Sequence, residues 1–426
     1  MRNQAWSAQG IAAAIGWFSG GGVRRFGSSA EIVADHGSGS YVYESSGSRY
    51  LDAVSGFGVA SLGHCHPRWV ESVTSQAARL GVTPLYTEEL AKYLAALAEA
   101  LPPRLNKTAL FSGGAEAVEV AIRLAQRATG RRGILTFEGS FHGKTLGVRY
   151  SDDAGGVESE LIGPAWLRSA PFPACERHDP LAYAGCEEPV TEALAAIERR
   201  DLDEVGAVLI EPVQGTAGNI PPRRGLHAAL RRLCDERGWL LLFDEMITGF
   251  GRTGLTFGFE SFGVEPDVLI LGKGLGGGYP LSAVCSSADL WKAASLDHPS
   301  ATATSYGGNP IACAAGMATL EIITDGQFLA SVAQASRQAA ERLRELSTSP
   351  RVAWPRGIGL MLGFDLVDAE SGALASPVNC LQVVRDCRDR GLLIAADVPR
   401  VRLSPPLTIS PGEVDELFDV LTEVLA

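Results

Sequence analysis

The stretch Val268-Leu-Ile-Leu-Gly-Lys-Gly-Leu-Gly-Gly-Gly278 joins four apolar residues to a lysine that stands among glycines. Four consecutive apolar residues are typical of a strand that is buried on both faces of a parallel sheet. Lys273 would then lie at the carboxyl end of this strand, where open α/β sheets bind ligands. When such a lysine stands alone, a solvated lysine in a turn is the more common explanation. The function of Lys273 therefore depends on the partners that the rest of the chain supplies.

The composition is that of a globular protein. Of the 426 residues, 46% are hydrophobic and 20% are charged, which excludes a disordered chain. The formal net charge of −12 argues against nucleic acid or an anionic membrane as the main partner. Because no apolar run approaches a membrane span and the N-terminus lacks a convincing leader pattern, we expect a cytoplasmic protein.

The eight cysteines are scattered, without a CxxC pair. This distribution favours reduced and mostly buried thiols over a disulfide or zinc framework. The cluster His64-Cys65-His66 looks like a set of metal ligands, but adjacent side chains diverge and a second cluster is missing. We therefore expect no metal site, and we interpret Gly63–Pro67 as a turn that leads into a helix.

The order of the predicted elements indicates an α/β fold. Short strand-like pieces from Glu31 to Asp52 predict an antiparallel meander. Repeated strand–loop–helix units then predict a mostly parallel sheet with helices on both faces. The strands predicted for it are Ala109–Phe111, Gly133–Phe137, Ala207–Ile210, Trp239–Phe243, Val268–Leu271 and Leu281–Cys285.

The remaining patterns predict a division into two domains. Residues 61–320 would form a large domain, and residues 1–60 and 321–426 would pack together as a small α+β domain made from both chain ends. Between the strands, Asp152–Glu188 is rich in proline, glycine and small residues. We expect this segment to be a long irregular excursion with a functional or interfacial role.

Two stretches provide the first candidate partners for Lys273. In Leu240-Leu-Leu-Phe-Asp-Glu245, a carboxylate directly follows an apolar strand and would reach the same sheet edge. Such a carboxylate caps a helix, or it pairs with a cation such as a protonated heterocyclic nitrogen. The stretch Phe111-Ser-Gly-Gly-Ala-Glu116 is a strand end, a glycine turn and a helix start, which together can seat a phosphate.

Two further loops could complete a site for a flat ligand with a phosphate. Phe141, in Phe137-Glu-Gly-Ser-Phe-His-Gly143, could stack on an aromatic ring, although most phenylalanines belong to a core. Hydroxyl groups precede a glycine pair in Ala303-Thr-Ser-Tyr-Gly-Gly-Asn-Pro310, which is either a surface turn or part of the phosphate seat. A P-loop around Lys273 is excluded because Asp267 and Gly274 stand where that motif requires Gly and Ser or Thr.

Taken together, these stretches resemble the class III pyridoxal-phosphate-dependent aminotransferases, over roughly residues 30–420. The most specific piece runs from Glu211-Pro-Val-Gln-Gly through Asp244-Glu-Met-Ile-Thr-Gly-Phe-Gly-Arg-Thr-Gly254 to the Lys273 turn and Gly278-Tyr-Pro280. The resemblance implies the fold-type-I architecture, with a seven-stranded large sheet, and pyridoxal 5'-phosphate as cofactor. It also implies a homodimer whose active site is shared between subunits.

The resemblance implies a role for each matching residue. Lys273 would be the Schiff-base lysine and general base, and Asp244 would partner the pyridine nitrogen. The other residues expected to bind the cofactor are Gly114, Ala115, Phe141, His142, Glu211, Ile247 and Ser305, the last acting on the neighbouring subunit's phosphate. Arg402 and Phe57 would bind the substrate, with the guanidinium group of Arg402 facing a carboxylate.

Departures from the family pattern give conflicting signals about the substrate. Ornithine-type members carry Glu at the position of Thr216 and Gln at the position of Ile247. In its motif, Ile247 makes this chain more similar to the ω-amine and ω-amino-acid transaminases. The stretch from Ser305 to Cys313 and the position of Arg402 instead resemble the ornithine and acetylornithine branch. A surface salt bridge is the alternative role for Arg402.

The sequence therefore predicts an aminotransferase that moves an amino group from an amino acid or ω-amine to a 2-keto acid, pyruvate or 2-oxoglutarate, in a ping-pong cycle. The same cofactor residues would also serve an amino-acid racemase or epimerase, or another non-transaminase member of the family. A non-catalytic scaffold is a third reading, which an intact Lys273 and Asp244 oppose. The sequence does not identify the amino donor.

Overall fold

The computed structural model describes residues 32–148, 164–175, 190–199, 202–397 and 399–426. Three sheets organise these residues, one of seven strands and two of four. The first sheet begins with the predicted meander, whose antiparallel strands are β1 (Ala34–Ser38), β2 (Tyr41–Glu44) and β3 (Arg49–Asp52). Glu31, where the first strand was expected to begin, lies outside the described residues.

The large sheet has the predicted seven strands and is mostly parallel. Its strands are β4 (Lys107–Phe111), β5 (Gly133–Phe137), β6 (Leu167–Ala170), β7 (Val205–Ile210), β8 (Leu240–Asp244), β9 (Val268–Leu271) and β10 (Ser282–Ser286). Their spatial order is β4-β10-β9-β8-β7-β5-β6, and β10 runs antiparallel to both of its neighbours. Strands β5, β7 and β9 are buried along their whole length, as continuous apolar runs in a two-sided parallel sheet require.

Helices cover the large sheet and fill the small domain. They are α1 (Pro67–Ala77), α2 (Glu88–Ala100), α3 (Gly114–Thr129), α4 (Thr191–Glu198), α5 (Leu226–Arg237), α6 (Ala288–Ala293), α7 (Pro299–Thr302), α8 (Pro310–Ile323), α9 (Gly326–Leu346), α10 (Pro377–Asp389) and α11 (Pro411–Val424). Side-chain caps fix several starts; for example, Asn309 Oδ1 accepts the Ala312 N–H at 2.9 Å before α8. Among the described helices, none is long and apolar enough to cross a membrane.

The C-terminal part adds β11 (Val352–Ile358), β12 (Met361–Leu366), β13 (Leu392–Leu393), β14 (Ala395–Asp397) and β15 (Arg400–Leu403). Strand β13 pairs in parallel with β3, so residues from both ends of the chain share one small sheet. A separate apolar core joins this sheet, the sheet β11-β12-β15-β14, and helices α9 to α11. The domain boundaries at residues 61 and 321 stay a prediction.

Two expectations were wrong. The excursion Asp152–Glu188, of which residues 164–175 are described, contains strand β6, which pairs in parallel with β5 at the edge of the large sheet. This strand escaped prediction because Leu167-Arg-Ser-Ala170 is polar and only partly buried, as edge strands often are. Cys175 forms a disulfide, whereas we expected reduced thiols throughout. Cysteine spacing carries no signal for a bond that depends on how an irregular segment folds.

Candidate active site

The ends of two neighbouring strands bring Asp244 and Lys273 together. Strands β8 and β9 lie side by side and parallel, with Asp244 opposite Ile270. Asp244 is the last residue of β8, and Lys273 follows β9 after Gly272. The backbone of Lys273 has a φ of 45°, in the left-handed region that residues with side chains rarely adopt. Surrounding structure must therefore hold this turn, as is common at functional sites.

A cavity of about 280 Å³ opens at this edge of the sheet. Of the predicted site residues, the cavity is lined by Gly114, Ala115, Phe141, His142, Asp244 and Lys273. The sequence predicted no individual role for the other lining residues, although several stand in the quoted motifs; they are Val59, Ser112, Gly143, Met246, Gly278, Tyr279, Pro280 and Leu281. Gly143 and Met246 directly adjoin a predicted residue, so proximity to the motifs was the available signal for these two.

Asp244 is fixed in place by two hydrogen bonds. Its Oδ2 lies 2.8 Å from Nδ1 of His142, and its Oδ1 accepts the N–H of Met246 at 3.0 Å. The other ring nitrogen of His142 lies 3.2 Å from Oγ1 of Thr136 on β5. Because all three side chains are buried, this chain of contacts holds a carboxylate in one orientation at the floor of the cavity.

The environment of Lys273 favours an uncharged amine. Burial is the main cause and lowers the pKa of the Lys273 ammonium below its usual value, and the nearby cation Arg402 acts in the same direction. The carboxylates of Asp244 and Glu211 oppose this shift without cancelling it. Since only the neutral amine is nucleophilic, Lys273 can act as nucleophile or base at a lower pH than an ordinary lysine.

The first turn of α3 forms an anion seat. This helix starts at Gly114, immediately after β4 and the Ser112-Gly113 turn, and its first N–H groups have no acceptor within the helix. Gly114 and Ala115 line the cavity. A Cβ built on Gly114 would lie only 3.0 Å from Sδ of Met246, so glycine keeps this seat open. The helix dipole adds to the attraction for a phosphate.

Phe141 lines the cavity from the loop that follows β5, and Glu211 holds this loop. Oε1 of Glu211 accepts the Phe141 N–H at 2.9 Å, and Oε2 accepts the Gly215 N–H at 3.0 Å. Glu211 itself is 4% exposed and is not among the residues that line the cavity. Burial raises the pKa of its carboxyl group, an effect that these two hydrogen bonds and His142 counteract.

Arg402 and Phe57 lie beside one another, and neither is among the residues that line the cavity. The guanidinium carbon of Arg402 is 5.4 Å from the centre of the Phe57 ring, and its Nη1 donates to the carbonyl of Gly215 at 3.3 Å. Arg402 is 6% exposed, which does not fit the alternative of a surface salt bridge. Phe57 sits in a left-handed turn with a φ of 63°. The structure thus brings both predicted substrate residues together.

Ile247 and Ser305 have different surroundings. Ile247 packs with Val213 and Met361 in a small apolar cluster, close to Gly58 and Gly215. Ser305 is exposed and does not line the cavity of its own chain. This position is compatible with a role on another subunit.

Comparison with known proteins decides the family. The class III aminotransferase family model, described as "Aminotransferase class-III", matches residues 25–425. The chain belongs to the class III aminotransferases. It is 35% identical over 413 residues to 2-aminoadipate transaminase of Pseudomonas putida, covering 93% of this chain and 96% of that one. It is 33% identical over 401 residues to acetylornithine aminotransferase of Archaeoglobus fulgidus, covering 92% and 95%.

Solved structures of this aminotransferase family agree with the fold. An (S)-enantioselective omega-transaminase from Thermomicrobium roseum has a TM-score of 0.86 and 29% identity, with 99% of each chain covered. An aminotransferase from Vibrio fluvialis, solved in its PMP-bound form, has a TM-score of 0.86 at 23% identity, covering 100% of this chain and 98% of that one. These proteins are transaminases and give no support to the racemase or epimerase alternative. The protein is a pyridoxal-phosphate-dependent aminotransferase.

The cavity of this class III aminotransferase fits the cofactor chemically. Lys273 offers an amine, Asp244 a carboxylate for a protonated ring nitrogen, Phe141 an aromatic face, and the start of α3 an anion seat. The backbone before Lys273 is also closely packed, because a Cβ on Gly272 would lie 2.3 Å from Sδ of Met246. The residues present therefore suit a flat, phosphorylated pyridine.

Proposed function

We propose that Lys273 bonds the cofactor through its amine and that Asp244 holds the proton on the ring nitrogen. The observation that carries this proposal is that both side chains line one cavity, at adjacent strand ends and together with a helix N-terminus. When bound, pyridoxal phosphate supplies an electrophilic carbon and an electron-accepting ring. Lys273, once free, serves as general base at the substrate carbon that bears the nitrogen, a role that its lowered pKa favours.

The neighbouring residues position the cofactor. The N–H groups of Gly114 and Ala115 would bind the phosphate, and the Phe141 ring would cover one face of the pyridine. His142 orients Asp244 through the 2.8 Å contact, and its Nε2 is in turn held by Thr136. Ile247 gives the ring an apolar neighbour in place of a polar one.

We further propose that Arg402 binds the carboxylate of the 2-keto acid and of an amino-acid donor. This arginine is buried, and it lies close enough to Lys273 for its charge to affect the lysine pKa. A planar guanidinium group suits a carboxylate. The relatives named above act on 2-aminoadipate and acetylornithine, both of which carry carboxylates. The preferred donor would therefore be an amino acid, with pyruvate or 2-oxoglutarate as acceptor.

A screen of amino acids and carboxylate-free amines against pyruvate and 2-oxoglutarate tests this function. We expect transfer from at least one amino acid to one of the two keto acids. The variant Arg402→Met should raise KM for the keto acid at least about tenfold, because a charge-assisted contact is lost. If an amino donor removes the aldehyde absorbance of the cofactor but no keto acid is turned over, the aminotransferase role proposed for these residues is contradicted.

We also propose a cytoplasmic homodimer in which Ser305 reaches the phosphate of the neighbouring subunit. An exposed apolar patch supports this assembly. It consists of Leu85 at 74% and Tyr86 at 92% exposure, with Tyr306 at 64% beside Ser305. The segments that carry these residues meet at Gly81, where a Cβ would lie 3.5 Å from Cδ1 of Ile311 in α8. Exposed aromatic and aliphatic side chains of this kind mark protein interfaces.

A further inference from the structure

Glu211 is a buried carboxylate that joins two loops. It follows β7 directly, and its two oxygens accept the N–H groups of Phe141 and Gly215 at 2.9 and 3.0 Å. Removing a carboxylate from water costs several kcal/mol unless donors such as these compensate it. The side chain contacts backbone on two separate segments, so it fixes the position of one relative to the other.

The second of these loops leads to the substrate arginine. Gly215 accepts a hydrogen bond from Nη1 of Arg402 on its carbonyl, while its N–H is held by Glu211. A Cβ at this position would lie 2.4 Å from Cδ1 of Ile247, so a larger residue would displace the Ile247 side chain. One peptide residue therefore separates the carboxylate of Glu211 from the guanidinium group of Arg402.

The rest of this loop is fastened to the small domain. Nη1 of Arg400 donates to the Ala217 carbonyl at 3.0 Å, and Nε of Arg356 donates to the Gly218 carbonyl at 2.9 Å. Nδ2 of Asn219 donates to the Leu362 carbonyl at 2.7 Å. The loop is thus held against the sheet that carries Arg402, and Glu211 connects it to the loop of Phe141.

We propose that Glu211 is a positioning residue that sets the stacking ring Phe141 and the carboxylate-binding Arg402 relative to each other. This inference rests on the roles given to those two residues under the proposed function. Glu211 would then affect the binding of cofactor and of substrate carboxylate without lining the cavity. This positioning role is an alternative to the direct cofactor contact that the sequence predicts for Glu211.

The variant Glu211→Gln tests the proposal with two binding measurements. Glutamine keeps the shape, but its amide oxygen can accept only one of the two N–H groups and its NH₂ faces the other. We expect the apoprotein to bind pyridoxal phosphate about tenfold more weakly, measured by quenching of tryptophan fluorescence. We also expect the holoenzyme to bind glutarate, a dicarboxylate without amine or ketone, about tenfold more weakly, measured by the change in cofactor absorbance.

Two further variants separate this effect from general destabilisation. Glu245 directly follows β8, the strand that pairs with β7. Its carboxyl oxygens also accept two backbone N–H groups, from Gly258 and Phe259, at 2.6 Å each. Glu245→Gln makes the same substitution at a buried glutamate whose pKa burial raises to about 8, and it should leave both affinities within about twofold. Arg402→Met should weaken glutarate binding alone.

Each outcome decides the proposal. It is supported if Glu211→Gln weakens both ligands while Glu245→Gln weakens neither. It is overturned if Glu211→Gln lowers only the thermal midpoint, or if both glutamine variants weaken the ligands equally. Failure of the unaltered protein to bind pyridoxal phosphate, or an Arg402→Met variant that binds glutarate normally, would instead remove the proposed function on which the inference rests.

Discussion

At the scale of single residues, Lys273 combines an unusual backbone angle with a buried amine beside a carboxylate. Lys273→Ala should abolish the visible absorbance that the lysine gives with the cofactor and lower turnover by roughly 10³-fold, because nucleophile and base are lost together. Absorbance and keto-acid-dependent turnover measure the two effects. Lys292→Ala, at an exposed position on α6, serves as control and should behave as the unaltered protein. Retention of the absorbance band in Lys273→Ala would place the bond to the cofactor elsewhere.

The charge of Asp244 gives a second prediction at this scale. Asp244→Asn preserves the shape but removes the anion that would hold a proton on the ring nitrogen, so turnover should fall by about 10²-fold or more. Cofactor should still bind, since the phosphate seat and Lys273 are intact. Turnover and cofactor content are measured on the same sample. An active Asp244→Asn variant would show that the ring nitrogen needs no carboxylate partner.

The sequence predicted the residues that carry out the chemistry better than the residues that pack around them. Lys273 and Asp244 follow apolar strands, so their meeting at the sheet edge follows from parallel strands alone. Met246 was not predicted, because its role depends on a thioether that packs against both Gly114 and Gly272. Such contacts join segments that are distant in the chain, and residue type carries no signal for them.

At the scale of elements, close packing around α8 gives a test of the fold. Gly316 lies where an added Cβ would be 2.8 Å from the Tyr93 ring and from Cδ2 of Leu281. Gly316→Ala gains about 1 kcal/mol of helix propensity but introduces overpacking of about 1–3 kcal/mol. We expect a net loss of stability, seen as a lower thermal midpoint. At Gly326, in the first turn of α9, nothing lies within 4 Å of such a Cβ, so Gly326→Ala should be neutral or stabilising. Equal effects of the two substitutions would contradict this packing.

Prediction of elements succeeded where patterns are periodic and failed where they are short. The buried strands of the large sheet were found, with ends that differ by a few residues. Strands β11 and β14 were not predicted. Strand β11 contains Trp-Pro-Arg-Gly, which lacks alternation, and it pairs with β12 through a register shift. Pairing with a distant strand determines such segments more than local sequence does.

At the scale of the whole molecule, a buried histidine makes stability depend on pH. His227 on α5 packs against Phe243 and Phe262, and burial lowers its pKa to about 3, although a hydrogen bond to the Pro212 backbone opposes the shift. Between pH 6.5 and 3 the unfolded chain binds a proton that the folded chain does not bind. Stability therefore falls as pH decreases through this window, by up to about 1.4 kcal/mol per pH unit from this residue.

Thermal midpoints at pH 7 and pH 5 test this dependence. His227→Asn should be less stable at pH 7, but its midpoint should fall less between the two pH values. His36→Asn removes a histidine whose side chain is 61% exposed and should leave the decline unchanged. If all three proteins lose the same stability between pH 7 and pH 5, His227 does not cause the dependence.

The proposed sharing of the active site between two chains leads to a complementation experiment. An acidic group near the phosphate should repel it, so Ser305→Asp homodimers should lose cofactor affinity, and Lys273→Ala homodimers should be inactive. In a hybrid of the two variants, purified by two different tags, one site would combine Lys273 of one subunit with Ser305 of the other. If Ser305 acts across the interface, the hybrid should have about half the turnover of the unaltered dimer, because one of two sites is complete. If Ser305 acts within its own chain, both sites of the hybrid carry a defect, and no activity should return.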